Sequence, residues 1–329
     1  MHETALDTKT VTDLVAEATA APSMYNAQPW RFRYLKESRT FQLRSDPGRT
    51  VPHSDPDSRA LHIGCGAALL NLRVAAAHRG WKASAELLPD PSDPELLALV
   101  RLVPAGDDAA ELAALHPAIS RRRTSRAPFD ERQVPAALQE ELREAARREA
   151  ACLVFPDRYH VQNVLDLVYD AEGRDAADPG RAEDLARWTR VGHEAAETAR
   201  DGVPEYTFGP RKHDGKAPVR DFSGRRPVTD REAAVFESAP NLVLLGTAED
   251  RRSDWLRAGQ AMERVLLAAT LNGLSTALTS HALEWPDLRW VARDPQSDMG
   301  YVQMVMRLGY GPEAPGSPRR PAEEVLYIE

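Results

Sequence analysis

The sequence has little of what marks secreted, membrane-bound or thiol-based redox proteins. It contains only two cysteines, Cys65 and Cys152, without Cys-x-x-Cys spacing, which indicates a reducing compartment and small buried side chains rather than reactive thiols. No apolar run approaches the roughly 20 residues of a membrane helix, and the first residues have neither the basic start nor the apolar core of a signal peptide. These absences predict a cytoplasmic protein without a membrane partner.

The chain as a whole also lacks an excess of positive charge. The formal net charge of −8 argues against a nucleic-acid partner, because such proteins normally carry a basic face, although a local arginine cluster could still bind a phosphate. A hydrophobic fraction of 42% with 28% charged residues is typical of a globular protein. With 329 residues, the chain can form two ordinary domains or one large pseudo-symmetric domain.

Motifs for several common chemistries are missing. The sequence has no Gly-x-Ser-x-Gly elbow and no phosphate loop, and the glycines around Cys65 lack the third glycine of a dinucleotide fingerprint. His193 and Glu194 form half of a zinc motif without its second histidine, so an exposed helix face is the simpler interpretation. The carboxylates are scattered, and the sequence predicts no metal site.

Two segments of the chain, residues 66–80 and 259–273, align without a gap. Both begin and end with glycine, share an Ala-Ala pair, and are typical of long helices with apolar residues on several faces and a C-terminal glycine cap. Composition alone could make alanine-rich helices alike, but strand-like pairs accompany them in the same order and favour an internal duplication. These pairs are residues 99–102 with 305–308 and residues 28–32 with 239–243.

Two polar segments far apart in the sequence carry the most specific patterns. Residues 121–129, Arg-Arg-Arg-Thr-Ser-Arg-Ala-Pro-Phe, would place Arg122, Thr124 and Arg126 on one face of an extended chain, where guanidinium groups and a hydroxyl suit a phosphate. A solvated basic turn is the alternative. Residues 21–30, Ala-Pro-Ser-Met-Tyr-Asn-Ala-Gln-Pro-Trp, supply two amide side chains that both donate and accept hydrogen bonds.

Both segments resemble signatures of the FMN-dependent nitroreductase family. In that family's usual homodimer the arginine motif opens each subunit, and the Asn-x-Gln-Pro-Trp motif of the other subunit completes the pocket. Here the order is inverted, as in the single-chain, Acg-like branch, of which this chain is identified as a member. The resemblance implies an α+β fold, with a nitroreductase-like unit built twice, a mixed sheet and long central helices. The halves would be residues 1–115 and 116–329, and the protein would be a monomer.

The resemblance further implies one FMN site built from both motifs, a loop and the C-terminal tail. In the family, backbone N–H groups of the loop, here residues 279–284, point at the flavin N5, where they stabilise the reduced ring. His281 could donate a proton or stack on the ring, or it could be polar surface. The cofactor-binding residues implied are Pro22, Ser23, Asn26, Gln28, Arg122, Arg123, Thr124, Arg126, Ser280, His281, Ala282, Arg319 and Arg320.

Residues 157–227 have no counterpart in the first half and are interpreted as an insertion. Residues 181–200 have helical propensity, and the following stretch is punctuated by glycine and proline, with Tyr206 and Phe208 as apolar anchors. The Acg-like branch is known for a lid, so a lid over the pocket is one hypothesis. Surface decoration is the other.

The activity implied by resemblance is FMN-dependent oxidoreduction, with electrons passing from NADH or NADPH through the flavin to a nitroaromatic or quinone-like acceptor. Two alternatives use the same site: a non-enzymatic protein that binds or sequesters FMN, and a flavin-dependent oxidase or dehydrogenase of a biosynthetic pathway. The sequence does not distinguish these or identify the acceptor. A mirror-image site would need motifs near residues 11–14 and 149–153, which lack them.

Overall fold

Helices and strands alternate along the chain and confirm the α+β prediction. The computed structural model describes residues 6–106, 109–224, 226, 228 and 231–329. The helices are α1 Thr8–Ala18, α2 Arg59–His78, α3 Ala110–Ala113, α4 His116–Ile119, α5 Ala136–Arg147, α6 Arg158–Ala177, α7 Pro179–Trp188, α8 His193–Glu197, α9 Arg252–Leu271, α10 Pro286–Val291 and α11 Ala322–Val325. The strands are β1 Trp30–Leu35, β2 Thr40–Ser45, β3 Trp81–Leu87, β4 Leu96–Pro104, β5 Cys152–Val154, β6 Thr189–Arg190, β7 Val203–Pro204, β8 Arg211–Asp214, β9 Ala233–Val235, β10 Leu242–Thr247, β11 Ser275–Thr279, β12 Tyr301–Gly309 and β13 Leu326–Ile328.

The two larger sheets share one order of strands. The first sheet runs β13-β1-β2-β4-β3 and is mixed, because β13 lies parallel to β1, while the second runs β5-β10-β12-β11 and is antiparallel throughout. In both, two strands precede a long helix and two strands follow it. This topology aligns β10 with β2, so the predicted match of residues 239–243 to residues 28–32, where β1 begins, is wrong by one strand.

The long helices α2 and α9 pack against each other in the centre of the molecule. Each has 20 residues, and each is followed by a glycine with a left-handed backbone, Gly80 at φ 77° and Gly273 at φ 74°, as predicted for the C-terminal caps. Gly66 and Gly259 do not open the helices. They lie inside them at the crossing, where a Cβ on Gly66 would be 2.2 Å from the carbonyl oxygen of Leu256, so only glycine permits this approach.

Helix α2 meets the length and composition of a membrane span. Its mean hydropathy is 1.4 over an 18-residue window, so the expectation that no such run exists was wrong. Nevertheless 89% of that window is buried inside the fold, and both ends of the helix continue into loops of the same unit. Helix α2 is therefore a core helix.

The segment between β5 and β10 contains α6 to α8 and four short strands. Helices α7 and α8 account for much of the predicted helix at 181–200, and His193 and Glu197 face solvent, as expected of an exposed helix face. Phe208 is fully buried and packs in a small cluster with Tyr25 and Phe222, whereas Tyr206 is 48% exposed. Phe208 alone is thus an anchor.

The C-terminal tail returns to the start of the chain. Strand β13 pairs with β1 in a parallel register that sets Leu326 opposite Phe32, and α11 packs against α1 and β1. This return brings residues 316–320 next to residues 20–28. The sequence motifs of the two ends of the chain are therefore neighbours in space.

Candidate functional site

A cavity of about 530 Å³ lies where the two motifs, the loop after β11 and the tail meet. Its volume is in the usual range of sites for small molecules and cofactors. Three of the implied residues, Gln28, Ala282 and Arg320, do not line it. The ten implied residues that do are Pro22, Ser23, Asn26, Arg122, Arg123, Thr124, Arg126, Ser280, His281 and Arg319.

The charge of the cavity wall is opposite to that of the chain. Among the described residues, seven arginines line it against four carboxylates, although the whole protein carries a formal charge of −8. Fixed cations in a concave, partly dehydrated wall focus a positive potential into the cavity. The cavity is therefore suited to an anion.

Arg122 is the most deeply buried of the cations from the arginine motif. It is 4% exposed, and its contacts are all long: 3.5 Å from Nη1 to Thr124 Oγ1, 3.3 Å from Nη2 to the Ala20 carbonyl, and 3.6 Å from Nε to a Glu263 carboxylate oxygen. Burial lowers the pKa of Arg122, and Glu263 opposes that shift. A buried guanidinium with such loose partners retains donors for a ligand.

The rest of the arginine motif is held by strand β11. The Ser125 N–H donates to the Thr276 carbonyl at 2.7 Å, and Thr124 forms a single parallel bridge with Thr276. Arg122, Thr124 and Arg126 all line the cavity, and the intervening residues Arg123 and Ser125 line it as well. Arg126 donates to the Thr207 carbonyl at 2.9 Å and stacks on Phe222 at 4.6 Å, and burial lowers its pKa to about 10.

Arg319 enters the cavity wall from the tail. Its guanidinium donates to Asn26 Oδ1, to the Ala20 carbonyl and to the Ala21 carbonyl, each at 3.0 Å, while Nε has no hydrogen-bond partner in the described part of the chain. Burial, reinforced by Arg122, lowers its pKa to about 9. The Asn26 amide group donates to the carbonyls of Gly202 and Pro318 at 2.9 and 3.0 Å, so Asn26 ties the tail and the insertion to the cavity.

Gln28 and Arg320 act behind the wall. Gln28 is fully buried; its Nε2 donates to the Arg200 carbonyl at 2.9 Å, and its Oε1 accepts the Arg320 N–H at 2.8 Å. The Arg320 side chain points away, toward Asp46 and Glu324. Asn26 and Gln28 both have left-handed backbones, at φ 54° and 53°, a strain that the surrounding hydrogen bonds must offset. Ser23 Oγ, which accepts the Gln28 N–H at 2.9 Å, stabilises the same turn.

His281 is buried in the cavity wall, so its interpretation as polar surface was wrong. It begins a short 3₁₀ helix, His281–Glu284, and is 3% exposed, with no hydrogen-bond partner for either ring nitrogen among the described residues. Burial, with Arg220 and Lys212 nearby, holds its pKa well below the usual value. A neutral imidazole therefore faces the cavity, while Ala282 beside it packs into the core.

Sequence reasoning missed the ionic cluster that closes one side of the cavity. Arg220, in the insertion, donates to the Tyr25 hydroxyl and to the Glu284 carboxylate, and Arg181 of α7 donates to the other Glu284 oxygen at 2.8 Å. Together with Phe222, these contacts fix residues 218–222 over the cavity. No sequence signal identified Arg220, because single arginines in a polar loop are usually solvated.

Comparison with known proteins places the chain in a family. Residues 119–310 match the model of the nitroreductase family. The chain is 31% identical over 340 residues to the putative NAD(P)H nitroreductase acg of Mycobacterium tuberculosis, covering 100% of this chain and 98% of that protein. It is 33% identical over 332 residues to a second putative NAD(P)H nitroreductase of that organism, covering 97% and 92%.

Among solved structures, similarity extends to smaller nitroreductases. The FMN and NADPH-dependent nitroreductase NfnB from sphigopyxis sp. strain HMH is 18% identical, with a TM-score of 0.38, covering 64% of this chain and 96% of that one. A nitroreductase with bound FMN from Bacteroides fragilis is 16% identical, with a TM-score of 0.35, covering 60% and 89%. On the family match and the near-complete coverage of its relatives in sequence, this chain belongs to the nitroreductase family.

Proposed function

We propose that the protein is an FMN-dependent oxidoreductase that passes electrons from NADH or NADPH to a small organic acceptor, such as a nitroaromatic or a quinone. The observation that carries the proposal is the arginine-rich cavity in which both sequence motifs and the tail meet. The family supports an oxidoreductase, and the names of the relatives from Mycobacterium tuberculosis support a nicotinamide donor.

The residues of the cavity fit the parts of FMN. Arg122, Arg123, Thr124 and Arg319 would hold the phosphate, because they line the cavity with guanidinium and hydroxyl donors, and the two terminal nitrogens of Arg122 have only long contacts to described residues, at 3.3 and 3.5 Å. Apolar side chains would wall the flat ring; those lining the cavity include Ile63, Met262, Ala277, Leu278 and Met304.

Bound FMN would supply the redox chemistry, accepting a hydride at N5 and passing electrons on. The protein supplies position and charge. Arg126 would donate to the polar edge of the ring, and the neutral His281 can donate or accept one hydrogen bond without carrying charge. Asn26 and Gln28 position the tail on which Arg319 depends. Ser280 donates its hydroxyl proton to Glu284 at 2.8 Å, which orients the loop.

We infer that two nitroreductase units are fused in this chain, and that the protein is a monomer with one site. The matching strand orders and the crossing of α2 and α9 at Gly66 and Gly259 support the fusion. The register of the two sheets sets Glu149 at the position equivalent to Gln28, and there it forms ion pairs with Arg73 and Arg264 at 2.6 and 2.7 Å. Those ion pairs occupy the position at which a second site would begin.

A second candidate function is FMN sequestration. It is favoured by residues 218–222, which line the cavity and are held in place because Arg220 donates to Tyr25 and to Glu284. If that segment stays closed, a nicotinamide could not reach the ring.

Anaerobic reduction separates the two functions. The purified protein is loaded with FMN, freed of excess cofactor and mixed with NADH or NADPH while the flavin absorbance is followed, and then given nitroaromatic and quinone acceptors. Rapid bleaching, reversed by an acceptor, is expected of the oxidoreductase. Bleaching by dithionite but by neither nicotinamide would support sequestration, and failure to retain FMN would overturn both.

A further inference from the structure

Glu263 is a fully buried carboxylate directly behind the phosphate end of the cavity. It lies on α9 and is 0% exposed, with one oxygen 3.6 Å from Nε of Arg122. Neither oxygen makes a hydrogen bond of good geometry to any residue in the described ranges. It does not line the cavity itself, so it can act on a ligand there only through the arginine in front of it.

The surroundings of Glu263 leave its charge poorly compensated. The groups that act on it from neighbouring elements are Arg122, Arg319 of the tail, and the amide of Asn71 on α2. Burial raises the pKa of the Glu263 carboxyl, and these three groups oppose the rise. Arg122 and Arg319 are also among the residues assigned above to the phosphate, so the same two cations would interact with the FMN phosphate and with the Glu263 carboxylate.

We propose that Glu263 is a positioning residue that holds the Arg122 guanidinium in the free protein and takes up a proton from solvent when the phosphate of FMN binds. The inference rests on the proposed FMN site. A phosphate dianion at Arg122 and Arg319 would take up their positive potential and add its own negative charge close to Glu263, and a buried carboxylate under those conditions is neutralised by protonation. The coupling makes FMN affinity depend on pH.

Titration calorimetry with FMN tests the coupling directly. At about pH 7.5 to 8.5 the free phosphate is already a dianion, because its second pKa is about 6, so its own protonation contributes little. Repeating the titration in buffers of different ionisation enthalpy gives the number of protons bound per FMN. We expect an uptake approaching one proton in the wild-type protein, and a dissociation constant that rises by up to about tenfold per pH unit.

Glu263→Gln keeps the shape and removes the ionisable group. We expect its proton uptake to fall to near zero and its FMN affinity to vary less than about twofold over the same pH range. Glu149→Gln is the matched control, because Glu149 is also a buried carboxylate paired with arginines but lies outside the cavity wall. It should retain the wild-type uptake and the wild-type pH dependence.

Each outcome decides one statement. Equal proton uptake in the wild-type and Glu263→Gln proteins would overturn the assignment to Glu263. Binding of FMN to the wild-type protein without proton uptake would overturn the coupling, even if the variant did not fold. Absence of any FMN binding to the wild-type protein would instead refute the proposed function.

Discussion

Replacing Gly259 by alanine should separate the two central helices. A Cβ at this position would lie 2.0 Å from the carbonyl oxygen of Ile63 and 2.9 Å from Cα of Gly66. Both obstacles are backbone atoms in the middle of a helix, so neither can turn aside. The helix axes would have to part by roughly 1 Å, which close-packed interiors do not absorb.

The cost follows from that geometry. Overpacking a core by one methyl group costs about 1–3 kcal/mol when side chains can adjust, and here the clash is with backbone between two 20-residue helices. We expect Gly259→Ala to lower the free energy of unfolding by about 3 kcal/mol or more. The cavity is built from both halves, so FMN affinity should fall as well. Urea unfolding and fluorescence titration with FMN measure the two effects.

Gly173→Ala is the matched control. Gly173 is also inside a 20-residue helix, α6, but a Cβ there would meet nothing within 4 Å, so the substitution should stabilise the protein by about 0.5–1 kcal/mol through the lower entropy of the unfolded chain. If Gly259→Ala lost less than about 0.5 kcal/mol, or if both variants lost the same amount, the close crossing of α2 and α9 would be refuted.

Two further predictions concern the cavity wall. Arg122→Ala should weaken FMN binding by at least about 2 kcal/mol, or roughly 30-fold, because a desolvated phosphate loses its partner. The control Arg257→Ala, on an exposed part of α9, should change FMN affinity less than about twofold. Equal effects of the two substitutions in a fluorescence titration would contradict the assignment of Arg122 to the phosphate. The pKa of His281 is depressed in the folded protein, so on acidification the unfolded chain binds a proton at this histidine before the folded chain does. The contribution of the neutral imidazole to the free energy of unfolding is therefore fully present above about pH 6.5. Below that pH it falls by up to about 1.4 kcal/mol per pH unit. In urea unfolding between about pH 6.5 and 5, His281→Gln should show a shallower loss than the wild-type protein, and identical slopes would contradict the burial of a neutral imidazole.

The features that sequence could predict are those that depend on local chemistry. Gly80 and Gly273 end their helices because a residue with a left-handed backbone is needed there. A glycine directly after an apolar helical segment indicates such an end from the sequence alone. The alternation of Arg122, Thr124 and Arg126 likewise predicts one common face in any extended segment, and all three residues line the cavity. The specific spacing from Asn26 to Trp30 carried the family resemblance, and the family followed from it.

The features that sequence could not predict depend on which surface covers a residue. Glu263 lies in an alanine-rich helix whose composition says nothing of a buried charge, and Arg220 lies in a polar loop of the kind that is normally solvated. A lone histidine in a loop is usually polar surface, whereas His281 has Arg220 and Lys212 of the insertion nearby, and sequence does not reveal that approach. Tyr206 and Phe208 are both aromatic residues in the same polar segment, and sequence does not show that Phe208 packs in a cluster with Tyr25 and Phe222 while Tyr206 is exposed.

The proposed fusion would account for a single site. In a two-fold symmetric dimer every substitution appears twice, so a change that damages one site damages both. Once the two halves are parts of one chain, a substitution in one half no longer appears in the other. Glu149 is consistent with such a change: at the position equivalent to Gln28 it pairs with Arg73 and Arg264 inside the fold. Arg122 differs in this respect, because its contacts to the described residues are long and leave its donors available for an anion. Under the proposed fusion, the surface at Glu149 would contribute stability, while the surface at Arg122 would remain available for a ligand.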